Sequence, residues 1–257
     1  MEREVWLERM TWMEIQAAIA EGYDTALIFT GSIEQHGPHL PLATDTLLGY
    51  ALGERLARKL GNALLAPVVR PGMSEHHMHF KGTISLSAET FKATVRDYIH
   101  SLARHGFKHI AVTWSHGGNA GALREMLPGV AAELPDVEIL AQTDLRALFQ
   151  HWIPYAAAQG VGLEALGIHA GEGETSEMLA YVPEQVRQDQ LVQGFMGDLI
   201  SGAGEHIRLL QEGLHVLTDN GVLGDARGAD AARGARYLDL WAEYLIEGLE
   251  PVTAHGA

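Results

Sequence analysis

The 257-residue chain contains no cysteine. That absence excludes disulfides, thiolate nucleophiles and cysteine-ligated zinc sites together. Long hydrophobic runs are also missing: no stretch approaches the roughly 18 apolar residues that a membrane-spanning helix needs. The opening MEREVWLERMTW is charged and has no hydrophobic signal region. A cytoplasmic protein with no membrane partner is therefore expected. Positive charge is scarce, with 18 Lys and Arg against 33 Asp and Glu and a formal net charge of -15. Such a surface repels phosphate backbones, which argues against a nucleic-acid partner. The acidity serves solubility.

What is present has the composition of a folded α/β protein. Hydrophobic residues make up 47% and charged residues 20%, enough for a large core and too apolar for disorder. No linker, repeat or low-complexity tract divides the chain, so one domain over residues 1–257 is expected. Thr11 with Glu14 forms a capping-box pattern, predicting a helix from Trp12 to about Glu21. TALIFT (25–30), ALLAPVV (63–69), HIAVTW (109–114) and VEILAQT (137–143) read as short buried strands. Helices are predicted from Asp45 to Leu60, closed by Gly61, from the cap Ser87 to about His105, and after SHGGNAG to about Leu134. Residues 144–168 read as helical pieces broken by Pro154 and Gly160. HAGEGETS (169–176) reads as a Gly-rich loop before a short helix to about Tyr181. Residues 184–227 carry no readable pattern. A last helix over 229–247 has Ala231, Ala235, Leu238, Trp241 and Leu245 on one face. Strands alternating with helices predict a mostly parallel sheet covered on both faces.

Histidine is the outlier, with 14 in the chain. His36 and His39 lie in GSIEQHGPHLPLATD (31–45), His76, His77 and His79 in one loop, and His116 and His169 each in a Gly-rich loop. These loops follow predicted strands or sit beside them. In open α/β sheets the carboxyl ends of strands are where ligands bind.

In extended backbone residues i and i+2 share a side, so Glu34 and His36 present an oxygen and a nitrogen donor together. Asp45 begins the next predicted helix and reads either as an N-cap or as a third donor. His39 reads as a turn residue. Gly117 and Gly118 allow close backbone approach beside His116. His169 and Glu174 place a base and a carboxylate on one segment. Glu172 and Glu177 are expected at the rim or on the helix face, and Thr175 and Ser176 as helix caps. The cluster at His76, His77 and His79 reads as a solvated lid or as substrate contacts. Jointly the candidates offer oxygen and nitrogen donors and no sulfur, a set that suits Zn, Mn or Fe. A pair of such ions, bridged by a carboxylate such as Asp45, generates hydroxide near neutral pH and polarises a carbonyl.

GSIEQHGPHLPLATDT, FKGTISLSAETF, WSHGGN, HAGEGETS and GVLGDARGADAARG together resemble the creatininase (creatinine amidohydrolase) family, in order and over nearly the whole chain. The resemblance implies a three-layer αβα sandwich, a two-metal centre, hydrolysis of small amide C–N bonds, often cyclic, and a homo-oligomer, commonly a hexamer. It implies Glu34, Asp45 and His116 as ligands of one metal, and His36 with bridging Asp45 as ligands of the second. It also implies His169 as proton shuttle and Glu174 as a carboxylate beside the metals; His77, Gly117 and Gly118 are expected around a small-molecule amide substrate. Two departures stand out. Creatinine hydrolases have Tyr-Glu after the loop histidine, where this chain has Gly117 and Gly118, and a substrate-covering tryptophan before the HAGEGETS equivalent, where this chain reads ALGIHAG. The HGGN form looks more like family branches that act on formamidopyrimidines or trim modified peptides. A non-catalytic metal- or ligand-binding relative is the remaining alternative.

Overall fold

The computed structural model describes residues 3–197, 199, 208–209 and 211–253. A five-stranded sheet runs through it in the order β2-β1-β3-β4-β5. Strands β1 (Thr25–Thr30), β2 (Ala63–Leu65), β3 (His109–Trp114) and β4 (Glu138–Ala141) are parallel, and β5 (Glu250–Pro251) pairs antiparallel with β4. All six residues of β1 are buried, which is why TALIFT shows no polar alternation: both faces of the strand are covered.

The connections explain how. From β1 the chain passes through α2 (Thr44–Leu60) to β2 on one side; from β2 it returns through α3 (Ala88–Arg104) to β3 on the other, and α4 (Ala120–Glu133) leads on to β4. Right-handed crossovers that step in opposite directions put their helices on opposite faces. Accordingly α2 packs on β1 and β2, while α3 and α4 pack on each other and on β3. The α2 face is completed by α5 (Leu145–Ala158), the short α6 (Leu163–Leu166), α7 (Glu172–Tyr181) and α8 (Ala231–Gly248), with α7 lying along α8 and both against α2. The result is the expected three-layer α/β arrangement. Strand order reverses between β1 and β3, and their carboxyl ends open a crevice there.

Local signals hold where they are short-range. Thr11 and Glu14 form both arms of the capping box at the start of α1 (Trp12–Ala20). Gly61 ends α2 at φ 77, and Ser87 Oγ accepts the Thr90 N–H at the start of α3. Two expectations change. ALLAPVV forms a ladder only over Ala63–Leu65, with Val69 making a single bridge to Thr30. Pro154 does not break α5: the helix runs through it to Ala158, and Gly160 at φ 78 follows its end. The carbonyl that Pro154 leaves without an N–H belongs to Gln150, an exposed residue, while Leu148, Phe149, Trp152 and Ala156 hold the helix in place by burial.

The unreadable stretch after Tyr181 is partly extended. Gly194 and Phe195 bond to Gly224 and Val222, and Leu223 donates to the His169 carbonyl. This patch backs the HAGEG turn. Within the patternless segment 184–227, residues 198, 200–207 and 210 lie outside the described residues. Among the described residues no helix is long and apolar enough to cross a membrane.

Candidate metal centre

Four segments meet at the β1/β3 crevice. The loop after β1 brings Glu34 and His36, the first turn of α2 brings Asp45, the turn after β3 brings His116, and the segment entering α7 brings His169 and Glu174. Asp45 does not cap α2. It lies inside the first turn with Ala43 at the cap position, and its carboxylate is free to face the crevice.

Each oxygen of Asp45 serves a different group. Oδ2 is 3.3 Å from His116 Nδ1, which is also 3.3 Å from Glu34 Oε1. Oδ1 is 3.4 Å from His36 Nε2, which is also 3.4 Å from Glu174 Oε1. Glu34, Asp45 and His116 thus form one compact donor set, and His36, Asp45 and Glu174 a second. The other ring nitrogens are tied down. His36 Nδ1 donates to the Glu34 carbonyl at 3.0 Å, and His116 Nε2 to the Met73 carbonyl at 3.0 Å. Both histidines therefore present a lone pair to the carboxylates, the arrangement by which ligating imidazoles are oriented.

That arrangement tests whether cations fit. A neutral imidazole nitrogen facing two carboxylates is repulsive, and His36 Nε2 and Asp45 Oδ2 are buried without a hydrogen-bond partner among the described residues. Protons or metal ions relieve it. Burial pushes His36 down, but Glu174 and Asp45 together hold it well above the ordinary histidine value. Burial likewise opposes charge on His116, and Glu34 and Asp45 overcome it. Glu34 is held well below the carboxylate range by His116 and His77 despite its burial, and Glu174 falls to about 2 against its own burial because of His36. A site that demands positive charge this strongly, with only N and O donors, suits divalent metal.

Sequence reasoning missed Gln35. Its Oε1 accepts the Gly37 N–H at 3.0 Å, which orients the amide. Its two N–H groups then go to His77 Nδ1 at 3.0 Å and the Gly221 carbonyl at 3.1 Å. None remains for His169 Nε2, so that nitrogen carries the proton and donates to the Gln35 carbonyl at 2.7 Å. His169 Nδ1 is left with its lone pair on the cluster side, 3.7 Å from Glu34 Oε1. Burial, aided by nearby His36, keeps this ring below the usual histidine value and hence neutral. By the same accounting His77 holds its proton on Nε2 and donates toward Glu34 Oε1 at 3.3 Å. The signal for Gln35 was a polar amide inside the Glu34–His36 pair.

Other expectations are corrected. HAGEGETS is not all loop: α7 starts at Glu172, so Glu174 is helical and its Oε2 accepts the Ala170 N–H at 2.6 Å. Ala170 takes a left-handed conformation (φ 52) to aim that N–H, uncommon for a residue with a side chain. Thr175 and Ser176 are not caps; Thr175 Oγ1 meets His39 Nε2 at 2.9 Å, and Ser176 Oγ donates to Glu172. His39 is a hydrogen-bonded loop residue as expected, buried and neutral, its value lowered to about 4 by burial. Glu172 and Glu177 are not at the rim but buried, Glu172 against Arg233 and Tyr237 of α8 and Glu177 in the cavity wall. Of the lid histidines, His77 is buried against Glu34, while His79 is exposed and stacks on His215. Gly117 and Gly118 line the cavity, and a Cβ at Gly118 would stand 2.4 Å from His116 Nε2. This chain therefore holds its His116 ring where a larger residue would collide.

An α/β sheet with a buried histidine–carboxylate cluster at its switch point defines a fold with a candidate metal centre, and the comparisons give it a family. The family model for creatininase, described as creatinine amidohydrolase, matches residues 8–249. A mycofactocin precursor peptide peptidase from Mycobacterium ulcerans is 34% identical over 222 residues, 83% of this chain and 80% of that protein. A creatinine amidohydrolase from Pseudomonas putida is 30% identical over 205 residues, 75% and 77% of the two chains. Among solved structures, a mutant creatininase described as the Zn–Zn type superposes with a TM-score of 0.76 at 27% identity, covering 96% of this chain and 97% of that one. The chain belongs to the creatininase family of hydrolases.

Proposed function

We propose that this protein hydrolyses the C–N amide bond of a small cyclic or formamide-type substrate at a centre holding two divalent ions, of Zn, Mn or Fe. The observation that carries the reading is Asp45, whose two oxygens each complete a separate set of buried donors. Glu34, Asp45 and His116 would hold one ion, and His36, Asp45 and Glu174 the other; Glu174 fills the position for which Gly118 has no side chain. Ions held there supply Lewis acidity toward a carbonyl and a water of lowered pKa.

The chain's own groups do the rest. Gln35 fixes the tautomers of His77 and His169. His77 Nε2–H steadies Glu34. His169 Nδ1 takes up a proton on the cluster side and returns it to the departing nitrogen. The walls of a cavity of about 360 Å³ keep bulk water from the reacting bond. A second reading, trimming of a modified peptide, is favoured by that same cavity, whose wall continues past the donor cluster along Leu148, Phe149, Trp152 and Trp241. The chain is read as a cytoplasmic homo-oligomer, in the form of a hexamer.

The test is product detection by mass spectrometry on a panel: creatinine, a formamidopyrimidine, a cyclic dipeptide, a lactone and a short peptide, each with added Mn or Zn and with chelator. Metal-dependent cleavage of a C–N bond is expected. A blank across the panel from protein with both ions bound would turn the reading toward the non-catalytic alternative.

A further inference from the structure

His39 belongs to neither donor set, yet it is fully buried just past His36 on the same loop. Its backbone is pinned, since the Arg187 N–H donates to its carbonyl at 2.8 Å. Its ring makes one hydrogen bond among the described residues, between Nε2 and Thr175 Oγ1 at 2.9 Å, and Nδ1 has no partner there. A buried imidazole served on one side only costs more than an apolar ring of that size. The bond to Thr175 is what the imidazole contributes.

That bond has a direction. Thr175 has one hydroxyl proton, which goes to the Ala170 carbonyl at 3.4 Å. His39 Nε2 is therefore the donor to Thr175 Oγ1. His39, Thr175 and Ala170 are all fully buried, a setting in which hydrogen bonds are stronger than in water.

Ala170 is the residue that needs holding. A left-handed alanine (φ 52) persists only where its surroundings fix it. The peptide before it is fixed by the Leu223 N–H, which donates to the His169 carbonyl at 2.9 Å. The peptide after it is fixed by Thr175, and Thr175 in turn by His39. In that conformation the Ala170 N–H reaches Glu174 Oε2 at 2.6 Å, and Glu174 Oε1 is left 3.4 Å from His36 Nε2.

We propose that His39 is a positioning residue for the second donor set: through Thr175 it holds Ala170 left-handed, and Ala170 holds Glu174 with one oxygen free for an ion shared with His36 and Asp45. The ion rests on the two-ion reading above; the hold on Ala170 does not. The first set, Glu34, Asp45 and His116, contains no member of this chain of contacts.

The experiment has two readouts on the full-length protein. In chelator, hydrogen exchange followed by NMR gives the rates of the Ala170 and Leu223 amides. Zn titrated against a chromogenic chelator gives the affinity of each ion. The variants are His39→Phe, which keeps a ring without a donor, Thr175→Val, which keeps the shape without the hydroxyl, and Thr175→Ser, which keeps the hydroxyl. In His39→Phe and in Thr175→Val the Ala170 amide should exchange about tenfold faster, the contribution of one hydrogen bond, with Leu223 near its native rate. Both should bind the first Zn as the native protein does and the second about 10- to 100-fold more weakly, the range for groups that orient ligands. Thr175→Ser should behave as native. An unchanged Ala170 amide in both variants, equal quickening of Ala170 and Leu223, or a second Zn held at native affinity would overturn the proposal. Should His39→Phe fail to fold, Thr175→Val against Thr175→Ser decides alone. A native protein that takes fewer than two Zn sinks the two-ion reading, while the exchange rates still decide whether His39 holds Ala170.

Discussion

Asp45 Oδ1 lies 3.4 Å from His36 Nε2, while its other oxygen is turned toward His116 on the far side. The two contacts come from loops after different strands, so one carboxylate ties β1 to β3 at their carboxyl ends. A residue at the start of a helix ordinarily offers its oxygens to the helix's own N–H groups. Here the helix start is left to Ala43, and the carboxylate is divided between two imidazoles.

His169 is neutral, with its proton on the nitrogen that faces Gln35. Replacing it with alanine removes the lone pair but none of the contacts among Asp45, Glu34, Glu174, His36 and His116. His169→Ala is expected to bind metal as the native protein does and to lose about 100- to 10,000-fold in kcat. Metal analysis beside steady-state kinetics checks this; an unchanged kcat would remove His169 from the proton path.

Gln35→Leu keeps the side-chain size and removes the amide that orients His77 and reaches Gly221. With its Nδ1 unpaired, His77 is free to turn off Glu34. A loss of about 10- to 100-fold in metal affinity is expected, the range for partners that orient ligands. Competition with a chromogenic chelator measures it, and native affinity in the variant would show that the amide merely fills space.

How far the chain was readable depends on distance along it. The capping box at Thr11 and Glu14, the left-handed Gly61 and the fully buried run TALIFT are local, and each appears as expected. Glu34, His36, Asp45 and His116 were legible only jointly, as oxygen and nitrogen donors in loops at strand ends, and the fold brings them to one crevice. Gln35 was not, because its role is defined by His77 and His169, 42 and 134 residues away. Glu172 and Glu177 misled for the same reason: two acidic residues on a short helix read as surface until Tyr237 and Arg233 of α8 arrive to bury one of them. Pro154 misled because the penalty of a proline is local while the burial of Trp152 and its neighbours is not.

Glu177 sets a pH dependence. A carboxyl raised in the folded state binds more protons folded than unfolded above its unfolded value, so stability is full below that value and declines as pH rises toward the folded one. The ordinary glutamate value is 4.5, so the decline starts near there, at about 1.4 kcal/mol per pH unit. Glu177→Gln does not titrate. The variant should match the native protein in unfolding midpoint near a pH of about 4 and exceed it progressively toward neutrality. Parallel denaturation curves across pH test it; two curves with a constant offset would show that Glu177 is charged when folded.

Gly234 marks where α8 crosses α7. A Cβ there would stand 1.8 Å from the Ser176 carbonyl oxygen, backbone that cannot swing aside. Gly234→Ala must push the helices apart and loosen Arg233 and Tyr237 from Glu172. A destabilisation of about 1–3 kcal/mol or more is expected, read as a lower thermal midpoint. Native stability would mean that the crossing is looser than described.

One carboxylate shared between two buried donor sets is the central relationship, and counting ions tests the proposal that each set holds one. Native protein and Asp45→Asn should be loaded with Zn or Mn, desalted and analysed for metal per chain by plasma mass spectrometry. Two ions per native chain are predicted and no more than one in the variant, with turnover reduced beyond the roughly 10- to 100-fold of an outer partner. A single ion in the native protein, or two in Asp45→Asn with full turnover, would contradict the bridging role of Asp45.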